Sequence, residues 1–254
     1  MESILKTREL TIDFGGQAAV SGVSLEVPKH QFQSIIGPNG AGKTTLFNLL
    51  SGQLQPTHGT ILFKETDITH LSPPLRTRMG MGRSFQITNV FPNLTVLENV
   101  RLAVQSSAGV RFNFFSALSR FKQFEEEAVH YLKSVMLDGK RDSLAKHLAH
   151  GEKRKLEIAM LLALKPELLL LDEPTAGISI EEVPAILDVL RGIKEQGDKT
   201  ILLIEHKMDM VLDLSDSVTV LFNGKLLASG SPQDIMNNEL VQSAYLGGLY
   251  DDAS

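Results

Sequence analysis

Phe32-Gln33-Ser34-Ile35-Ile36-Gly37-Pro38-Asn39-Gly40-Ala41-Gly42-Lys43-Thr44-Thr45-Leu46-Phe47 is the stretch that decides the fold. Its first five residues form a mostly apolar run that ends in a glycine-rich turn, and residues 43–50 continue in a helical pattern. A strand, a loop and a helix in that order begin an α/β core. The loop fits the P-loop pattern G-x-x-x-x-G-K-[ST] from Gly37 to Thr44. Glycines let backbone amides turn inward around phosphate oxygens, and the helix that follows aims its partly positive N-terminus at the same anion. Residues Gly37, Pro38, Asn39, Gly40, Ala41, Gly42, Lys43, Thr44 and Thr45 are therefore expected to hold a nucleotide's phosphates. Lys43 would reach the outer phosphates, and the Thr44 hydroxyl would ligate Mg²⁺.

A second element lies in Leu168-Leu169-Leu170-Leu171-Asp172-Glu173. An apolar strand ending in two acids wastes desolvation energy unless the carboxylates meet a metal or a proton. Asp172 is expected to hold Mg²⁺ through water, and Glu173 to orient and deprotonate an attacking water. The next apolar strand, residues 200–204, is followed by Glu205 and His206. Successive strands of such a sheet deliver their C-terminal ends to one crevice, so His206 is expected at the γ-phosphate or the attacking water. Gln86, after Arg83-Ser84-Phe85, sits where the core gives way to a helical pattern, and its amide oxygen would join the Mg²⁺ shell when nucleotide is bound.

Composition narrows the function classes. The chain has 254 residues, enough for a full core, and its net charge of −5 provides no sequence-wide basic field for nucleic acid. It has no cysteine, which excludes disulfides and thiolate metal sites. Residues 1–10 alternate charge and apolarity, without the apolar core of a secretory signal. The most apolar runs, 160–164 and 168–171, fall far short of the roughly 20 residues needed to span a bilayer. If the protein works at a membrane, other subunits must make the crossing.

Outward from the P-loop, residues 10–14 and 23–27 alternate as half-buried strands around a Gly15-Gly16 turn, a small antiparallel opening. From about Ile87 to Leu164 the pattern turns helical, with apolar positions at Ala128, Val129, Leu132, Val135 and Met136, then Leu156, Ala159, Met160, Ala163 and Leu164. Between these helices, Phe112, Phe114 and Phe115 need a partner, either the lobe itself or another subunit. After Pro166 the β/α alternation resumes. The continuous apolar strands 168–171 and 200–204 are the mark of a sheet covered on both faces. Strands 218–222 and 226–228 follow, and Gly230-Ser231-Pro232 opens a helical tail.

With these residues the chain resembles the ATP-binding subunits of ABC transporters over essentially its whole length. Gly37 to Thr45 matches that family's Walker A, Gln86 its Q-loop, 168–173 its Walker B with catalytic glutamate, and His206 its switch histidine. Phe14 stands where the family has an aromatic that stacks on adenine. Leu148-Ala149-His150-Gly151-Glu152 aligns with the signature LSGGQ, which in the family touches the γ-phosphate of ATP bound to the opposite subunit. Ala149 here replaces a serine hydroxyl, a loss of roughly 1 kcal/mol for one hydrogen bond. His150 replaces the first glycine, while helix-N-terminal amides at Gly151 and Glu152 still supply anion contacts. Ser179 stands where the family often has the aspartate of its D-loop. Ser179 and Glu182 would form a capping pair, but Pro184 leaves that helix's start open.

The resemblance implies an ABC-type P-loop NTPase domain with a RecA-like core, an antiparallel β-subdomain and a helical subdomain. Residues 1–86 would hold the β-subdomain and the start of the core, 87–164 the helical subdomain, 165–230 the rest of the core, and 231–254 a helical tail. It also implies ATP and Mg²⁺ as ligands and a dimer, either of this chain or with a paralogous ATPase. The dimer would serve two membrane permeases, and indirectly an extracytoplasmic binding protein, from the cytoplasmic side of the cell membrane. Gly82-Arg83-Ser84-Phe85-Gln86, the L-A-x-G signature, Ile204-Glu205-His206 and the ending Ala244-Tyr245-Leu246-Gly247-Gly248 are similar to the branched-chain amino-acid importer ATPases. That group includes urea and short-amide importers. The lipopolysaccharide-export ATPases share the Tyr-Leu-Gly tail but generally keep a serine where Ala149 stands. Soluble ABC ATPases of repair or translation carry coiled coils, zinc modules or a second nucleotide domain, none of which is read here. A P-loop kinase or GTPase would leave 148–152 and His206 without a role, and a non-catalytic regulatory module would not need Glu173 and His206.

Overall fold

The computed structural model of the chain describes residues 2–84, 90–109 and 117–251. Its N-terminal part is an antiparallel sheet built on one long strand, β1 (Ser3–Phe14), with β2 (Gln17–Val23) and β3 (Glu26–Pro28) along one edge. Two expectations shift here. β1 begins at Ser3, well before Leu10, because Ile4 and Leu5 are buried while Arg8 and Glu9 face water across a register shift. The expected strand at 23–27 straddles a break. Thr7 causes it, since its hydroxyl donates to Val23 O at 2.8 Å and accepts from Leu25 N at 2.9 Å, standing in for ladder bonds while the chain steps from β2 to β3.

β4 (Phe32–Ile36) and α1 (Lys43–Ser51) are the strand and helix of the opening stretch, joined by the P-loop. The chain then returns through β5 (His58–Phe63) and β6 (Thr66–Asp67), which complete the antiparallel sheet in the order β2-β1-β5-β6. A short helix, α2 (Pro73–Arg78), leads to the three-residue β7 (Met81–Arg83). Arg76 of α2 is 1% exposed. Its guanidinium donates to Leu49 O, Leu50 O, Thr69 O and Leu71 O, so it closes the C-terminal end of α1. A cation suits that negative helix end. Burial lowers its pKa to about 10.

Helices α3 (Val96–Ser107), α4 (Ala117–Ser134) and α5 (His150–Ala163) follow. Ala128, Leu132, Val135, Leu156, Ala159 and Ala163 are buried as their spacing predicts. Met136 is not, because the chain turns out of the helix there with a φ of 55° and leaves the side chain 52% exposed. Phe112, Phe114 and Phe115 lie outside the described residues.

The remaining elements are β8 (Leu168–Asp172), α6 (Val183–Gln196), β9 (Thr200–Ile204), α7 (Met208–Leu214), β10 (Ser217–Phe222), β11 (Lys225–Gly230), α8 (Pro232–Met236) and α9 (Glu239–Asp251). The second sheet runs β11-β10-β4-β9-β8-β7, parallel throughout except for the β10–β11 hairpin. β4, β8 and β9 are buried at every position. Alternate residues enter two cores. Leu169, Leu171, Ile201 and Leu203 pack with the helices 96–163 and α6, while Leu168, Leu170, Leu202 and Ile204 pack with α1 and the antiparallel sheet. This two-sided covering explains why both strands read as unbroken apolar runs. α6 starts at Val183 with Pro184 in its first turn, where a missing N–H costs nothing, and the Ser179 hydroxyl donates to Glu182 Oε2 at 3.2 Å just before it.

Candidate nucleotide-binding site

Because β4, β8 and β9 are neighbours in the parallel sheet, their C-terminal ends meet in one crevice. A cleft of about 220 Å³ opens there, lined by residues 39–45 with Ala19, Glu173 and His206. Gly42, with a φ of 97°, lies where an added Cβ would stand 2.4 Å from Ala19 O, so only glycine lets the β1–β2 hairpin close over the loop. Lys43 is 6% exposed and donates to Gly37 O at 2.7 Å and Pro38 O at 2.9 Å, bridging the loop's own carbonyls. Burial lowers its pKa, and the charges of Glu173 and Asp172 oppose that shift. Thr44 and Thr45 sit in the first turn of α1, with free amides typical of a helix start.

Asp172 closes β8 and is fully buried. Burial pushes its carboxyl above the ordinary range, against the pull of Arg83, whose Nη2 donates to Oδ2 at 3.2 Å. Its other oxygen, Oδ1, is buried without a hydrogen-bond partner among the described residues. A buried carboxylate oxygen with no donor fits a cation or a cation-bound water, and a hydroxyl plus one carboxylate is the sparse donor set that Mg²⁺ takes beside phosphates. Thr44 and Asp172 thus fit the metal. Gln86, the third expected ligand, lies outside the described residues.

Glu173 has a φ of 45°, unusual for a side-chain-bearing residue. The turn is held by Glu173 N–H to Ile204 O at 2.9 Å and by Arg154, which donates to Glu173 O at 2.9 Å and to Pro174 O at 3.0 Å. Strain that neighbours hold in place is typical of a functional position. The turn aims Glu173 Oε1 at His206 Nε2, 2.8 Å away. His206 is fixed by Glu205, to which the sequence by itself assigns no role. Glu205 is 3% exposed, accepts the amides of His206 and Lys207 at 2.8 and 3.2 Å, and takes the Thr175 hydroxyl on its other oxygen. A carboxylate directly after an apolar strand and before a histidine was the available signal.

Besides Gly37, Pro38 and Asp172, which lie close in the chain to lining residues without lining the cleft themselves, two groups of expected site residues are absent from its wall. Phe14 ends β1 with its ring 54% exposed and does not line it. Ala149, His150, Gly151 and Glu152 form the N-terminus of α5, with Ala149 and His150 exposed, and they do not line this chain's cleft either. Glu152 turns back to accept Ala149 N–H at 3.0 Å and pairs with Lys140. Burial would raise its pKa, but Lys140 and the Ala149 amide hold it below the ordinary range. Gly151 N–H donates to Glu182 Oε1 at 3.3 Å. Ala149 has no side-chain oxygen, so the reciprocal half of the cap is missing. Ala149→Ser is expected to stabilise the protein by about 1 kcal/mol. A urea titration reads this as a higher midpoint at unchanged slope; an unchanged midpoint contradicts it.

A model of the ABC transporter family matches residues 20–176, and one described as branched-chain amino acid ATP-binding cassette transporter matches 225–251. The chain is 38% identical over 253 residues to the high-affinity branched-chain amino acid transport ATP-binding protein LivG of Salmonella typhimurium, covering 97% of this chain and 98% of that one. It is 39% identical over 251 residues to BraF of Pseudomonas aeruginosa, which carries the same description, covering 96% and 98%. The ADP-conformation crystal structure of MJ1267, an ATP-binding cassette of an ABC transporter, superposes with a TM-score of 0.83 at 30% identity, covering 97% of this chain and all of that one.

Proposed function

The chain belongs to the ABC transporter family as an ATP-hydrolysing cassette, and on that premise we propose that it powers import of branched-chain amino acids through two membrane permeases. The observation that carries the catalytic part is the convergence of the P-loop, Glu173 and His206 on one cleft. The naming of both similar relatives and the match over 225–251 support the substrate class over urea, short amides or lipopolysaccharide.

In this reading Lys43 leaves the carbonyls of Gly37 and Pro38 and donates to the outer phosphates of ATP, joined by amides of residues 39–45. Phe14 stacks on the adenine. Thr44, Asp172 and Gln86 would hold Mg²⁺, which would neutralise phosphate charge there. Glu173 takes a proton from water, and His206 keeps that carboxylate aimed while reaching the γ-phosphate.

Residues 149–152 complete the site of a second chain. The exposure of Ala149 and His150 at a helix N-terminus, away from their own cleft, supports that role. Because ligand then lies between two chains, its binding energy favours only the closed dimer, as a population shift requires. Residues 1–86 act as the β-subdomain and start of the core, 165–230 as the rest of the core and 231–254 as a helical tail, while closure moves the helical lobe 87–164. Among the described residues no helix is long and apolar enough to cross a membrane, which fits a peripheral subunit on the cytoplasmic side. The permeases dock at the apolar groove that Arg83, Ser84, Phe91, Leu102, Met160 and Leu164 line. A binding protein outside the membrane supplies the substrate.

Cells deleted for this chain test the substrate class. Uptake of labelled leucine, isoleucine and valine is expected to fall and to return with the wild-type chain but not with Lys43→Ala. Unchanged uptake of all three, with loss of urea uptake or lipopolysaccharide export instead, contradicts it.

A further inference from the structure

Arg83 holds the framework of this site in a way its place in the sequence does not reveal. Its Nη1 donates to Asn48 Oδ1 at 2.8 Å and Ser51 Oγ at 2.6 Å on α1, and its Nη2 to Asp172 Oδ2 at 3.2 Å on β8. α1 also carries Thr44 in its first turn. One side chain therefore ties together the two elements that bear the proposed Mg²⁺ ligands. The pair is closed to solvent, with Arg83 10% and Asp172 0% exposed at the side chain, so water cannot easily replace either partner. Beside it, Ser84 N–H donates to Leu170 O at 2.9 Å, and Ser84 Oγ accepts Asp172 N–H at 3.2 Å. The end of β7 thus grips the end of β8 by both backbone and side chain.

The two oxygens of Asp172 are not equivalent. Arg83 occupies Oδ2, and Oδ1 is the one left without a hydrogen bond. A carboxylate with both oxygens free rotates about its last bond, whereas one tethered at Oδ2 by a guanidinium that is itself fixed on Asn48 and Ser51 is restrained. We propose that Arg83 is a positioning residue of the metal site: it holds Asp172 Oδ2 so that Oδ1 faces the cation, and it grips α1 so that Thr44 and Asp172 stay in register. The inference rests on the ATP and Mg²⁺ reading above. A nearby positive charge by itself opposes a cation, so the gain comes from geometry, as with other groups that orient metal ligands.

The full-length chain with the non-hydrolysable analogue AMP-PNP is the material, and Mn²⁺ followed by EPR is the probe. Arg83→Met is expected to weaken Mn²⁺ half-saturation by about tenfold, the lower end for loss of an outer-shell partner. Asp172→Asn weakens it at least as much, and the double variant is no worse than Asp172→Asn alone, because both act on one interaction. Arg83→Lys keeps the charge but not the fork and follows Arg83→Met. AMP-PNP binding in EDTA stays at the wild-type value for Arg83→Met and Arg83→Lys. Asn48→Ala, with Arg83 intact, shifts Mn²⁺ binding in the same direction and serves if Arg83→Met does not fold. Wild-type Mn²⁺ binding in the Arg83 variants beside weakened binding in Asp172→Asn overturns the proposal alone. An equal loss of AMP-PNP affinity in EDTA also overturns it, since Arg83 is then a general brace. Wild-type Mn²⁺ binding in Asp172→Asn overturns the metal-site reading with it.

Discussion

Glu173→Gln is expected to slow ATP turnover by about 10²- to 10⁴-fold, the contribution of a well-placed general base, while leaving ATP binding intact. The substitution is nearly isosteric. The backbone that holds position 173 at its positive φ is fixed by Ile204 O and Arg154 rather than by the side chain, so the turn survives. An amide also still reaches His206. What disappears is the basic carboxylate that takes the proton from water. With hydrolysis blocked, the closed form no longer resets, and the variant is expected to accumulate as a dimer on size-exclusion chromatography in Mg·ATP. Undiminished turnover would remove the assignment of Glu173 as base.

Lys43→Ala acts at the other end of the same cleft and is expected to abolish measurable ATP binding. Lys43 is nearly solvent-free, and its ammonium is the cation that the P-loop itself presents to phosphate. Truncating one partner of a buried charge pair costs about 2–5 kcal/mol, and about 1.4 kcal/mol is a tenfold change in affinity. The expected loss is therefore at least about thirtyfold and at most a few thousandfold. Equilibrium dialysis with labelled ATP measures it, beside circular dichroism to show that the fold is retained. Wild-type affinity in a folded variant would mean that Lys43 stays on Gly37 and Pro38 when nucleotide binds.

What could be read from residue order and what could not divide along physical lines. β8 and β9 were legible because strands buried on both faces are apolar nearly throughout, β4 as a mostly apolar run whose buried Gln33 and Ser34 bond Thr219 and Ser215, and the loop between β4 and α1 because phosphate binding restricts residue type at fixed spacing. The antiparallel sheet was harder. β1 mixes Lys6, Arg8 and Glu9 into its length and takes a bulge near Glu9, so its alternation fails locally although Leu5 and Leu10 are buried. β7 has three residues, one of them glycine, and is a strand only because β8 lies beside it.

The site divides in the same way. Lys43, Asp172, Glu173 and His206 each follow a strand or loop whose pattern announces them. Arg83 and Arg154 do not, because their meaning lies in partners brought together by folding, Asp172 for Arg83 and the carbonyls of Glu173 and Pro174 for Arg154; Glu205 directly follows β9, but its partner Thr175 is visible only in the fold. Tyr245 belongs with them. The tail's Tyr-Leu-Gly text is shared by two groups of the family, yet only the fold shows Tyr245 partly buried against the cluster that holds Ile36, Val211 and Val220, with burial raising its pKa to about 12.

The central claim is that one ATP is held by the P-loop of one chain and by residues 149–152 of another. The absence of cysteine in the natural sequence offers a clean test: Asn39→Cys and Ala149→Cys introduced together into the Glu173→Gln background, followed by mild oxidation and non-reducing electrophoresis. A covalent dimer that forms with Mg·ATP, and not without nucleotide or with either substitution alone, is the predicted result. A chain that stays monomeric with ATP bound, or that cross-links equally with and without it, contradicts the account.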